Sequence, residues 1–126
     1  MTGRMSRDKG ARGERELAGL LAERLGISIQ RRLGAARDGG HDIDVPGWAV
    51  ESKRTEVFVE AYWRQAQQQA EATGRRPVLF WRASRRPWVA YVDLHDVSPV
   101  AFPVRGRHRC AMTMDDWCQL AREVAA

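Results

Sequence analysis

Glu51 and Lys53 stand two residues apart in the segment WAVESK. Two residues is the repeat of a β-strand, so a carboxylate and an ammonium leave the same face while Val50 and Ser52 leave the other. Asp42 precedes Glu51 by nine positions (51 minus 42), and the Pro46-Gly47 pair between them has the composition of a type II turn. Such a turn folds Asp42 back toward Glu51, giving two carboxylates and one lysine a common locality. Hydrolysis of a phosphodiester needs charge neutralised at the scissile phosphate and a water made nucleophilic near neutral pH, and a divalent cation held by oxygen ligands supplies both. A lysine beside that cation can orient or deprotonate the water and offset negative charge, whereas arginine stays protonated and cannot serve as a base. The chain prefers arginine everywhere else and has lysine only at Lys9 and Lys53. Position 53 therefore has a chemical reason to depart from that preference.

These groups need a framework. Leu17, Leu20, Leu21 and Leu25 recur at helical spacing, predicting an amphipathic helix from near Lys9 to Leu25 with Gly26 as its stop. At about 100° per residue Glu14 falls between Leu17 and Leu25 on the core-facing stripe, while Glu16 points to solvent. An inward glutamate needs a partner such as a metal, so Glu14 is the third acidic candidate. Ile27 to Arg32 alternates as a half-buried strand does, and the glycine-rich stretch 34–40 ends it. Ile43 to Val45 and Trp48 to Lys53 form a hairpin. Phe58, Tyr62, Ala66, Gln69, Ala70 and Thr73 mark one side of a second helix, closed by Gly74. Strands follow at Val78 to Ala83 and Trp88 to Val92, joined by a turn over Ser84 to Pro87. Residues 93–109 are broken by proline and give no assignment. Thr113 can cap a last helix carrying Met114, Trp117, Cys118, Ala121 and Val124. The expected fold class is α/β, a central mixed sheet flanked by helices.

The chain has 126 residues, enough for one domain, and we divide it into a basic arm over residues 1–8 and a single domain over 9–126. Apolar runs are broken well short of the roughly 20 residues a membrane span needs, and the N-terminus lacks an apolar signal core, so a cytoplasmic protein is expected. A net charge of +5 and pI ≈ 10.0 favour a polyanionic partner. Arg12, Arg31, Arg32, Arg37, Arg54, Arg85 and Arg86 are candidates for phosphate contact, although single arginines are more often merely solvated. Cys110 and Cys118 with His95 and His108 lack paired zinc-ligand spacing, and Cys118 falls on an apolar helix face.

Three segments, KGARGERELAGLLAERLG, RDGGHDID and AVESKR, together resemble the archaeal Holliday-junction resolvases and phage-type PD-(D/E)XK endonucleases. The likeness covers most of residues 9–92. It implies a restriction-endonuclease-like fold, dependence on Mg²⁺ or Mn²⁺ with no organic cofactor, and cleavage leaving a 5′-phosphate. It places the helix carboxylate on Glu14, the motif's first aspartate on Asp42, and the final pair on Glu51 and Lys53, with Glu14, Asp42 and Glu51 as metal ligands. His41 stands where the motif has proline, and the short interval to Glu51 leaves Asp38 or Asp44 as substitutes for Asp42. Gln69 is a possible accessory residue, set against the simpler reading of a glutamine-rich exposed side.

Each of these residues alone has an ordinary explanation: a surface ion pair at Glu51 and Lys53, a turn residue at Asp42, a stripe boundary at Glu14. Their ordered occurrence favours a nuclease. The leading expectation is cleavage of branched DNA by a homodimer, in a bacterial host cell if the source is a phage, because two strands must be cut symmetrically. The alternatives are a nuclease of linear or single-stranded DNA in phage replication or restriction, and a basic nucleic-acid-binding module without catalysis. A nuclease of the HNH kind is disfavoured, since the chain has no asparagine.

Overall fold

The computed structural model describes residues 3–29 and 43–124. Five strands form one mixed sheet in sequence order: β1 (Ile43–Val45), β2 (Trp48–Arg54), β3 (Arg76–Arg82), β4 (Val89–Asp93) and β5 (Arg109–Thr113). The β1–β2 hairpin turns on Pro46-Gly47, and Gly47 takes φ 82°, the left-handed value that a type II turn requires there. β2 and β3 run parallel, which demands a crossover, and α2 (Glu60–Thr73) supplies it. β3, β4 and β5 continue antiparallel.

Strand alternation sorts the side chains into two layers. Trp48, Val50, Val78, Phe80, Ala90 and Val92 face α1 (Gly3–Leu25) and α4 (Met114–Val124), where Leu17, Leu21, Trp117 and Ala121 complete the main core. Trp117 meets Trp48 and Phe80 edge-on at 5.3 and 5.1 Å between ring centres. The opposite face is smaller. There Leu79 packs on Trp63 and Ala66 of α2, with Phe58, Tyr62 and Tyr91 at the border. Thr113 caps α4 by accepting the Asp116 N–H at 3.1 Å, and Gly74 ends α2 in the left-handed conformation, as the sequence predicts. No helix among the described residues is long and apolar enough to cross a membrane.

Four features differ from the sequence reading. α1 starts at Gly3 rather than near Lys9, because its first turns are polar and leave no apolar period to detect. Ile27 to Ile29 is not a strand: Gly26 at φ 67° and a bond from the Ile27 N–H to the Ala22 carbonyl terminate the helix there. The rest of that expected strand, 30–32, lies outside the described residues. β5 is a strand that the sequence did not disclose. Segment 93–109 is ordered by buried carboxylates rather than by apolar periodicity. Asp93 accepts the N–H of His95 at 2.9 Å, capping the short α3 (Leu94–Val97), and the N–H of Gly106 at 2.7 Å. Asp96 takes both Arg105 amino groups, at 2.8 and 2.5 Å.

Candidate active site

β2 lies between β1 and β3, so its middle is fixed by hydrogen bonds on both sides. Glu51, opposite Leu79, and Lys53, opposite Trp81, share the α2 face. The Glu51 carboxylate is buried, its side chain 3% exposed, and its Oε1 stands 3.7 Å from Lys53 Nζ. Lys53 is 28% exposed, and its ammonium lies 5.7 Å from the centre of the Tyr62 ring on α2. A buried carboxylate is thus held beside a lysine that still reaches solvent, the pairing expected from their spacing.

Asp42, Asp38, Arg31, Arg32 and Arg37 lie outside the described residues. Ile43, which follows Asp42, pairs with Val50, which precedes Glu51. Asp44 sits on the Glu51 face but opposite Ala49, where its carboxylate meets Arg75 Nη1 at 3.2 Å.

Glu14 is half-buried on α1, the helix that covers the other face of the sheet. The preceding residue, Gly13, is buried against Arg54; a Cβ there would lie 3.4 Å from Arg54 Cβ and Cδ. α1 therefore brings this turn to the end of β2, one residue past Lys53. Among the described residues no three His, Cys, Asp or Glu side chains gather as a metal cradle.

Two expectations are corrected here. Glu16 is not solvent-facing: Oε1 accepts from Arg82 Nη1 and from Trp88 Nε1 at 3.0 Å, and Oε2 lies 4.0 Å from Arg54 Nη1. The reason is cross-strand. Arg54 and Arg82 are direct neighbours in the β2–β3 ladder, and a carboxylate between two guanidinium groups offsets their repulsion. Gln69 is not on the exposed side of α2 either. It is 8% exposed on the stripe with Trp63, Ala66 and Ala70, and its buried Oε1 has no hydrogen-bond partner among the described residues.

Of the other candidates, Arg12 is exposed on α1, and Arg54 is occupied by Glu16. Arg85 and Arg86 are exposed in the β3–β4 turn, Arg85 with a left-handed φ of 64°. Cys118 is buried in the main core and Cys110 half-buried on β5, and burial pushes both thiols above their ordinary range. Two clefts, of about 610 and 680 Å³, are lined by neither Glu51 nor Lys53; the first lies beside Glu16 and Trp88, the second beside Arg75 and Arg105.

The fold has a counterpart among solved structures. Archaeoglobus fulgidus Hjc, a Holliday junction resolvase from an archaeal hyperthermophile, matches with a TM-score of 0.53 over 90% of this chain and 98% of that one, at 15% sequence identity. The mixed sheet flanked by helices is therefore the restriction-endonuclease-like fold. Comparison with curated protein sequences gives no match. A family model described as "Phage putative PDDEXK endonuclease" matches residues 5–113, and the chain belongs to that family.

Proposed function

We propose that the protein is a metal-dependent DNA endonuclease that hydrolyses phosphodiester bonds in branched DNA of the Holliday-junction kind. The observation that carries this reading is the buried Glu51 carboxylate 3.7 Å from Lys53 on the central strand of a PDDEXK-family chain. Branched DNA as the substrate is drawn from the likeness to Hjc, and a homodimer follows from the need to cut two strands. The family's description as a phage endonuclease supports activity in the cytoplasm of a bacterial host.

The residues fit a hard divalent cation, Mg²⁺ or Mn²⁺. Glu51 offers a buried carboxylate, and on the helix over the same face Gln69 Oε1 is buried without a hydrogen-bond partner among the described residues. Oxygen donors of this kind suit magnesium or manganese better than zinc. Glu51, Asp42 and Glu14 would hold the ion, Asp42 through its place next to β1 and Glu14 through the packing of Gly13 on Arg54. When bound, the ion supplies charge neutralisation at the scissile phosphate and acidifies a water.

The chain's own side chains do the rest. Glu51 holds Lys53 in place, and Lys53 takes a proton from the attacking water and then, as the ammonium, donates to the phosphate oxygen where charge develops. Exposed Arg12, Arg85 and Arg86, with Arg31, Arg32 and Arg37, hold the substrate by its phosphates.

The test is a cleavage series on labelled four-way junction, linear duplex and single-stranded DNA, each with Mg²⁺, Mn²⁺ or EDTA, for the wild type and Lys53→Ala. Metal-dependent cutting that favours the junction and disappears in the variant is the expected result. Equal cutting of all substrates removes the junction preference, and tight binding without cutting in any metal removes the catalytic assignment.

A further inference from the structure

The loop Thr55–Val59, between the end of β2 and α2, exposes apolar surface while being fastened at each neighbouring residue. Val57 is 68% exposed and Val59 43%. Thr55 Oγ1 accepts from Trp81 Nε1 and donates to the Val57 carbonyl, each at 3.0 Å. The Glu56 carboxylate accepts from the backbone N–H and the hydroxyl of Ser84, which ties this loop to the β3–β4 turn. Phe58 points inward, stacked on Tyr91 at 4.6 Å and edge-on to Trp81 and Tyr62 at 5.8 and 6.0 Å. Tyr62 is the ring beside Lys53. Thus Lys53, Tyr62 and Phe58 are packed in series, and the residues on either side of Phe58 project to solvent.

A flexible loop that exposes valine needs no explanation, because scattered apolar side chains are normal at surfaces. This one is tied down through Thr55, Glu56 and Phe58 and bears two valines. The turn fastened to it presents exposed Arg85 and Arg86. Arg85 holds φ 64°, a conformation disfavoured for a residue with a Cβ. An apolar tip flanked by guanidinium groups matches duplex DNA, in which stacked bases lie between rows of phosphate. Apolar side chains inserted at a base step unstack it and bend the helix, and arginines on the adjoining phosphates hold the bend.

We propose that the Thr55–Val59 loop is a wedge that inserts Val57 at a base step beside the scissile phosphate, with Arg85 and Arg86 on flanking phosphates. The wedge rests on the nuclease reading above and narrows its substrate to DNA that is already unstacked or easily opened. A branch point is such a substrate, since its bases are least held by their neighbours.

The experiment uses the full chain in EDTA, so that binding is read without cutting. Four-way junction and linear duplex each carry 2-aminopurine near the branch or at the centre, and Val57→Ser, Val57→Ile and Arg85→Gly are compared with the wild type. The expected result is a fluorescence rise on wild-type binding, lost in Val57→Ser, retained in Val57→Ile, with affinity for the junction lowered about tenfold in Val57→Ser. Arg85→Gly should lower the slope of log affinity against log salt by about 1 while keeping the fluorescence rise. An unchanged signal in Val57→Ser overturns the wedge, and so does absence of binding. A change of sedimentation behaviour in Val57→Ser without loss of the signal also overturns it, showing a contact between copies. Cutting by the wild type in Mg²⁺ judges the nuclease reading separately: unstacking without cutting keeps the wedge and removes the nuclease, and cutting with an unchanged Val57→Ser signal does the reverse.

Discussion

Lys53 Nζ lies 3.7 Å from Glu51 Oε1, and the two side chains differ sharply in exposure, 28% against 3%. The lysine can therefore swing to solvent if its partner is lost, whereas the carboxylate cannot. Burying a charge is unfavourable even when it is paired. Glu51→Gln should keep the shape, abolish cutting, and leave the thermal midpoint equal to or above that of the wild type. Lys53→Arg should cut no better than Lys53→Ala, both falling about 10²- to 10⁴-fold, because arginine keeps the charge but cannot take a proton. Single-turnover cleavage and thermal melting check the pair. A cleavage-competent Lys53→Arg removes the proton-transfer role, and a Glu51→Gln variant that fails to fold makes Glu51 a structural residue.

Gln69 carries the second prediction. Its Oε1 is buried without a hydrogen bond among the described residues, and a buried acceptor left so disfavours a fold by about 1–3 kcal/mol. Gln69→Met conserves volume and removes the amide, so it should raise stability by about 1 kcal/mol in urea unfolding. If the amide serves the site, the same variant should cut at least about tenfold more slowly in Mg²⁺. Higher stability with full activity would instead assign Gln69 to packing alone.

Asp93 tests how the segment after β4 is held. Oδ1 and Oδ2 accept from the N–H groups of His95 and Gly106, so Asp93→Ala should cost about 2–4 kcal/mol. Asp93→Asn should cost nearly as much, because one of its two terminal atoms becomes a donor facing a donor. Chemical denaturation with intact midpoints in either variant would show that the segment is held elsewhere.

The thiols give a pH dependence. Burial pushes the Cys118 thiol above its ordinary value of 9.0, and burial together with the charge of Asp93 does the same for Cys110. The native state keeps the proton while the unfolded chain releases it. The contribution to stability is therefore complete below about pH 9 and declines as pH rises above it. Urea midpoints at pH 8 and pH 10 should fall less in Cys118→Ala than in the wild type. Ellman's reagent at neutral pH should label native Cys110 slowly and Cys118 only on unfolding. Equal labelling of both in the folded protein contradicts this burial.

What the sequence made legible was local. The Pro46-Gly47 turn, the helix stops at Gly26 and Gly74, and the side shared by Glu51 and Lys53 all depend on neighbours a few positions away. Glu16 escaped because its partner Arg82 is 66 positions distant and the repulsion it relieves exists only once β2 and β3 pair. For Gln69 the helical period, which sets it on the side of Ala66 and Ala70, gave its buried position, whereas the glutamine-rich composition of 65–69 favoured the exposed reading that the structure overturns. Segment 93–109 was illegible because its order comes from Asp93 and Asp96, two polar residues holding backbone and arginine partners, with no apolar period to betray them.

The contacts of Trp117 bear on the order in which the protein can mature on a ribosome. β2, α2 and β3 are complete once residue 82 has been made, so the strand bearing Glu51 and Lys53 has both neighbours early. Trp48 and Phe80 receive Trp117 only when α4 follows. Until then, among the described elements, α1 alone covers the broad apolar face of the sheet. A chain released after β5 exposes that face to chaperones, with Glu51 and Lys53 on a paired strand and the sheet unsealed.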